Sequence, residues 1–247
     1  MKNYHNLSQE EKKQIKKARD DTSTLGISVS DNIVFLCHAL EITKDLEGCY
    51  LECGVYKGST ILTAEKFSRL RKINRKFIGV DSFKGFPECQ TTNVNDKPEK
   101  FEEMFKAGKI TLEHFNASKE RLSKIKNITH LETVYFNEPG KIIFEESKRR
   151  NIELLVGSFS EILPDLNLPI CILHIDCDLY EPYLECLRLQ FKNIVKGGII
   201  VLDEYYSLKY PGARIAVNEF LSTLNKTEYD LEMFKTTNFE RWFIVKK

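Results

Sequence analysis

The sequence predicts an α/β protein: a mostly parallel, seven-stranded sheet with helices on both faces and a C-terminal antiparallel hairpin. Three observations predict it. Short apolar, β-branched runs alternate with segments of 3.6-residue apolar spacing through most of the chain. Two of these runs, 170–175 and 198–202, each end in a cluster of carboxylates, Asp176-Cys177-Asp178 and Asp203-Glu204. The tail then changes period, with strand-like runs at 231–235 and 242–245 separated by Thr236-Thr237-Asn238-Phe239.

The 170–206 stretch organises the rest. Between its two strands, 179–191 has helical spacing with Leu184, Leu187 and Phe191 on one face. A right-handed crossover makes the strands parallel and brings both acidic clusters to one carboxyl-terminal sheet edge, where open α/β sheets bind ligands. Four carboxyl groups converging there repel one another and lose hydration, so a cation or a proton is expected among them. Oxygen ligands suit a hard ion, Mg²⁺ or else Mn²⁺ or Ca²⁺. The blander alternative makes Asp178 a helix cap and leaves Asp203 and Glu204 as solvated loop residues.

The remaining elements follow in order. Residues 8–20 form a charged helix, read either as a solvated surface helix or, with 22–30, as a lid over a ligand. Asp31 is expected to cap a helix running to about residue 44. A strand at 49–52 leads into Gly54-Val55-Tyr56-Lys57-Gly58-Ser59-Thr60, where Ser59 or Thr60 would cap the next helix, with Ile61, Ala64, Phe67 and Leu70 facing inward. Two glycines between a strand and a helix N-terminus make a nucleotide-type binding turn. It is neither the Walker loop nor the G-x-G-x-x-G fingerprint. The strand 77–80 ends on Asp81-Ser82, placing a carboxylate to accept ribose hydroxyls; its alternative role is to cap the turn 83–87.

Residues 89–148 are charged and loosely patterned, with helical pieces near 98–106, 118–126 and 141–149, and they carry His114 and His130. A substrate-selecting role is expected for this region. A strand at 152–156 ends at Gly157-Ser158-Phe159, where the aromatic ring could lie against an adenine, and a helix at 213–224 follows Tyr210-Pro211-Gly212. The expected organisation is an N-terminal helical arm or lid over 1–45 and one domain over 46–247, with the insert at about 89–148.

Composition narrows the function. With 37 basic and 36 acidic residues among 247, the net charge of +1 draws the chain to neither nucleic acid nor an anionic membrane. A small-molecule acceptor is the expected partner, and a homodimer or higher homo-oligomer is left open. The seven cysteines form no C-x-x-C pair, and several lie inside apolar runs, as expected for buried thiols in a reducing cytosol. The charged N-terminal stretch does not read as a signal peptide, and no apolar run approaches a membrane span, so a cytoplasmic location is expected.

Taken together, several blocks resemble, in order, those of the macrocin O-methyltransferase (TylF-type) family. They are Leu51-Glu52-Cys53-Gly54-Val55-Tyr56-Lys57-Gly58-Ser59, Asp81-Ser82-Phe83-Lys84-Gly85-Phe86-Pro87, Gly157-Ser158-Phe159 with Leu163-Pro164, His174-Ile175-Asp176-Cys177-Asp178-Leu179-Tyr180-Glu181, Gly197-Gly198 with Asp203-Glu204-Tyr205, and Pro211-Gly212-Ala213-Arg214. The resemblance runs from about residue 46 to the C-terminus. It implies the Rossmann-like class I methyltransferase fold, S-adenosylmethionine and Mg²⁺, and methylation of a hydroxyl on a sugar, nucleotide sugar, surface-glycan precursor or secondary metabolite. By the resemblance, Glu52, Gly54, Gly58 and Ser59 line the cofactor, Asp81 and Ser82 hold its ribose, and Ser158 and Phe159 lie near the adenine. Asp176, Asp203 and Glu204 match the metal ligands, with Asp176 also facing the cofactor, and Asp178 matches the general base. Position 204 is Glu where the family usually has Asp, and the 89–148 segment is longer and more charged than the family pattern. Two rivals remain: a metal-dependent hydrolase or nucleotide-sugar enzyme using the same carboxylates, and a non-catalytic nucleotide-binding protein.

Overall fold

The computed structural model describes residues 6–86, 92–124, 138–235 and 240–247, without the side chains of 138–140. Pro87, Cys89, His130 and the 236–239 turn lie outside the described residues.

Seven strands form one sheet in the order β3-β2-β1-β4-β5-β7-β6. They are β1 (Cys49–Cys53), β2 (Phe77–Asp81), β3 (Ile152–Val156), β4 (Ile170–Ile175), β5 (Ile194–Leu202), β6 (Tyr229–Lys235) and β7 (Glu240–Lys246). The first five are parallel; β7 runs antiparallel between β5 and β6. Every residue of β1 and β4 is buried, as expected of central parallel strands covered on both faces. The strand order reverses between β1 and β4, so their carboxyl ends flank a crevice.

Alternating strand residues feed two cores. On one face Tyr50, Ile172, Val201 and Phe243 pack with helices α1 (Gln9–Ser23), α2 (Ile33–Ile42) and α3 (Ser59–Leu70). A small third core, Phe101, Met104 and Ile110, joins α4 (Glu99–Lys106) and α5 (Leu112–Ser123). Helix α6 (Glu138–Arg149) puts Ile143 into the first core, so it belongs to the sheet's own helical layer rather than to the insert. After β3 comes the short α7 (Phe159–Ile162). On the opposite face Leu51, Val80, Leu173 and Ile200 pack with α8 (Tyr180–Gln190) and α9 (Pro211–Ser222).

Three local expectations change. Helix α1 is docked rather than solvated, because Ile15, Ala18 and Thr22 form a narrow buried stripe that its many charged residues obscure. Its capping box, Ser8 with Glu11, also turns Glu11 Oε1 to the buried His38 Nδ1 at 2.7 Å. Asp31 does not cap α2; Asn32 is the N-cap residue, without a side-chain capping bond, and Asp31 instead pairs with Arg19 at 2.7 Å. Neither Ser59 nor Thr60 caps α3, because Gly58 takes that place in the left-handed region at φ 79°.

Gly54 shows why the turn needs glycine. Its φ is 94°, and a Cβ there would fall 1.9 Å from the Asp176 carbonyl oxygen. The ends of β1 and β4 can approach this closely only without a side chain. Gly26, at φ 78°, has nothing within 4 Å of the same position. Gly26→Ala should therefore cost about the 1–2 kcal/mol of a left-handed residue, and Gly54→Ala substantially more. Urea titrations of both variants check this, and equal losses would contradict it.

Candidate active site

Strands β4 and β5 deliver the two acidic clusters to the same edge. Ligand atoms of His174, Asp176 and Asp203 all lie within 4.8 Å of one another. The expected meeting of Asp176 and Asp203 is thus observed, and His174 joins them. Asp203 Oδ1 forms an ion pair with Arg241 Nη1 at 2.8 Å and lies 3.4 Å from His174 Nε2, while Oδ2 accepts from Asn32 Nδ2 at 3.3 Å. Beneath them His174 Nδ1 lies 3.2 Å from Glu52 Oε2, which accepts from the Tyr50 hydroxyl at 2.5 Å. A buried polar chain therefore crosses the sheet from β1 through β4 and β5 to β7.

The charges on this edge are not independent. Burial opposes ionisation of Asp203, but the Arg241 guanidinium and the His174 hydrogen bond outweigh it and hold its carboxyl below the ordinary range. Asp176 goes the other way, pushed up by burial and then by the charge of Asp203. Glu204 is raised well above its usual value by burial and by Asp203, Asp176 and Asp178. It hydrogen-bonds Asp203 as well as the Tyr183 hydroxyl, the latter at 2.7 Å. Two cationic side chains favour the charged form of Asp203, whereas burial and like charge push its neighbours toward the protonated form, a tendency that a divalent ion would reverse. Two neighbouring carboxylates and a third carboxyl bonded to one of them are an oxygen donor set that fits such an ion, with the cationic His174 backing Asp203 rather than ligating.

Asp178 is not a helix cap. The α8 N-terminus is met instead by Asp96 Oδ1, which accepts from Tyr180 N at 2.9 Å. Asp178 itself sits at φ 62° and lines a polar cavity of about 240 Å³ with Asn32, Asp203, Glu204, Lys209 and Tyr210. Burial, opposed by Lys209 and reinforced by Asp203 and Asp96, pushes its carboxyl up to about 7.

Across the β1–β4 crevice, the glycine turn is braced by Asp81. Its Oδ2 accepts from Val55 N and Tyr56 N, both at 2.8 Å, and its Oδ1 accepts from Phe83 N at 2.7 Å. A carboxylate has about four acceptor positions, so three backbone bonds leave room for a ribose hydroxyl. The turn-capping role weighed for Asp81 is thus present in the structure. Ser82 accepts from Lys84 N at 3.1 Å and so closes its own turn. Gly58 packs on Ile143, and Ser59 opens α3 behind it. Ser158 forms a capping box with Glu161 at the start of α7, and the half-buried Phe159 leans on the second core. Glu52 is fully buried, and its Oε1 is left without a partner, an acidic oxygen two residues before Gly54 that suits a cationic donor.

Sequence reasoning missed His174, Arg241, Asn32 and Lys209. A histidine inside the otherwise apolar 170–175 run was a usable signal. Arg241, in a surface-like hairpin, gave none.

The buried imidazole has a measurable consequence. Burial works against its charge, but hydrogen bonds to Asp203 and Glu52 and nearby carboxylate charge raise His174 to about 10. Above the unfolded value near 6.5 the folded state retains a proton that the unfolded chain has lost. This stabilisation is complete below about pH 6.5 and is lost as pH rises through about 10, at up to about 1.4 kcal/mol per pH unit. Denaturant titrations in EDTA from pH 7 to 10 should show wild type losing stability and His174→Gln changing less steeply; parallel curves would contradict the assignment.

Comparison with known proteins agrees with this fold. The calicheamicin methyltransferase CalS11 superposes with a TM-score of 0.60 at 16% identity, covering 98% of this chain and 95% of that one. Its apo form, described as a TDP-rhamnose 3'-O-methyltransferase, gives 0.52 at 17% identity over 98% and 96%. The O-methyltransferase NovP gives 0.56 at 16% identity over 95% and 80%. These likenesses establish the class I methyltransferase fold. No curated protein sequence matches significantly. Residues 145–239, which hold both acidic clusters, match the family described as Macrocin-O-methyltransferase (TylF), the methyltransferase family that the motifs of this sequence resemble.

Proposed function

We propose that the protein transfers a methyl group from S-adenosylmethionine to a hydroxyl of a small, polyhydroxylated acceptor, a sugar or nucleotide sugar, with the aid of a divalent ion. The observation that carries this reading is the meeting of Asp176 and Asp203 beside a glycine-floored crevice, with Asp178 in the adjoining polar cavity. CalS11, whose described acceptor is a TDP-linked rhamnose, shares the fold and supports the acceptor class. The cavity suits it too: about 240 Å³ lined by carboxylates, amide, hydroxyl and ammonium groups accommodates a hydroxylated ring better than an apolar one.

The reaction is an in-line displacement. The acceptor oxygen forms a bond to the methyl carbon, the carbon–sulfur bond breaks, its electron pair stays on sulfur, and the hydroxyl proton must leave. Asp176, Asp203 and Glu204 would hold a divalent ion, whose positive charge would lower the pKa of a nearby hydroxyl. Asp178 takes the proton, Lys209 and Asn32 orient the acceptor, and the Arg241 and His174 contacts fix Asp203. Glu52 and the glycine turn hold the donor, with Asp81 setting the shape of that turn and accepting from its ribose.

Asp178→Asn should leave S-adenosylhomocysteine affinity unchanged and lower turnover by about 10²–10⁴. Because Asp178 must be ionised, and burial pushes its carboxyl up to about 7 whereas a bound cation would lower it, wild-type kcat should rise on its acid limb at or below about pH 7. Unchanged turnover in the variant, or wild-type activity falling from pH 6 to 8, would contradict this role.

Excess EDTA should abolish methyl transfer and Mg²⁺ should restore it. Full activity in EDTA would contradict the metal role. Mg²⁺ binding without any S-adenosylhomocysteine binding, read by calorimetry, would favour a hydrolase instead.

A further inference from the structure

His114 belongs to the charged insert, far in sequence from the acidic edge, yet its side chain is buried. Thr111 caps α5 by accepting from His114 N at 3.2 Å, which fixes the residue at the third position of the helix. From there the imidazole Nε2 lies 2.8 Å from the Ser207 carbonyl oxygen. A carbonyl only accepts, so Nε2 carries the proton and donates it. Burial lowers the pKa of the ring, and the neutral form suffices for this bond. The same ring packs on Tyr206, with centroids 4.3 Å apart, and on Phe101 at 5.9 Å.

Ser207 organises the loop that walls the cavity. Its hydroxyl accepts from Lys209 N at 3.1 Å and from Tyr210 N at 2.9 Å. Tyr206, Lys209 and Tyr210 all face the cavity that Asp178 lines. The insert also grips the start of α8, just beyond Asp178: Asp96 Oδ1 accepts from Tyr180 N, and Asn93 Nδ2 donates to Glu181 Oε1 at 2.9 Å. One segment therefore contacts both the 206–210 loop and the chain just beyond Asp178, and it has its own small core of Phe101, Met104 and Ile110 packed on Ile215 of α9.

We propose that His114 is a positioning residue for the acceptor: its Nε2–H bond to Ser207 sets the 206–210 loop, so the insert determines which acceptor fits without touching the donor. The acceptor part rests on the proposed function; the contact does not. A part-buried carbonyl that loses its donor is left to weaker partners, so the loop should shift or loosen when the bond is lost.

The test compares full-length wild type with His114→Phe, which keeps an aromatic ring against Phe101 and Tyr206 but has no donor, and His114→Gln, whose amide can donate to Ser207. Hydrogen exchange of the 206–210 amides should quicken about tenfold in His114→Phe and return toward wild type in His114→Gln. S-adenosylhomocysteine affinity should be the same in all three. With the best acceptor from a panel of hydroxylated sugars and nucleotide sugars that includes TDP-rhamnose, KM should rise about tenfold in His114→Phe with kcat within about twofold. Unchanged loop exchange and unchanged KM would overturn the inference, as would equal losses of donor and acceptor binding. A panel in which wild type methylates nothing would overturn the proposed function, and loop exchange alone would then decide the contact.

Discussion

Like charge concentrated at one sheet edge is the constraint on which this structure turns. Asp176, Asp178, Asp203 and Glu204 stand together at this edge, and the fold favours the charged form of one of them, Asp203, by surrounding it. His174 from β4 and Arg241 from β7 face Asp203, and Asn32 reaches it from the start of α2. Each contact comes from a different element, so the charge state of the edge depends on the sheet being fully assembled. A buried pair broken on one side leaves an uncompensated charge. The C-terminal hairpin, which closes the sheet, thus also supplies part of the site.

The crevice beside that edge is shaped by backbone more than by side chains. Gly54 lets the end of β1 come within contact of Asp176, and Asp81 ties the following turn by three backbone bonds. Donor and ion sites therefore share a wall, since the residue that Gly54 accommodates is itself a proposed metal ligand. Such proximity is what a transfer between two bound molecules requires.

Much of this was legible in the sequence because it rests on local pattern. The strands, the parallel β4–α8–β5 unit and the convergence of Asp176 with Asp203 follow from runs of apolar residues that stop at carboxylates. What escaped depends on partners distant in sequence. Arg241 looks like any cation on a hairpin until β7 is seen inserted beside β5. Helix α1 reads as solvated because its four buried positions, one of them Glu11, are outnumbered by its charges. Capping was misjudged twice for one reason. Asp31 and Ser59 are the residue types that cap helices, but Arg19 claims the first and a left-handed Gly58 makes the second unnecessary. The insert was the least legible part, since its order comes from contacts such as His114 with Ser207 that no spacing reveals.

The most direct test of the central claim is anomalous scattering from crystals grown with Mn²⁺ and S-adenosylhomocysteine. The account predicts one strong peak about 2 Å from a carboxylate oxygen of each of Asp176 and Asp203, adjoining the crevice that holds the cofactor product. A map with no peak there, or one in which the two carboxylates point apart around separate waters, would contradict it.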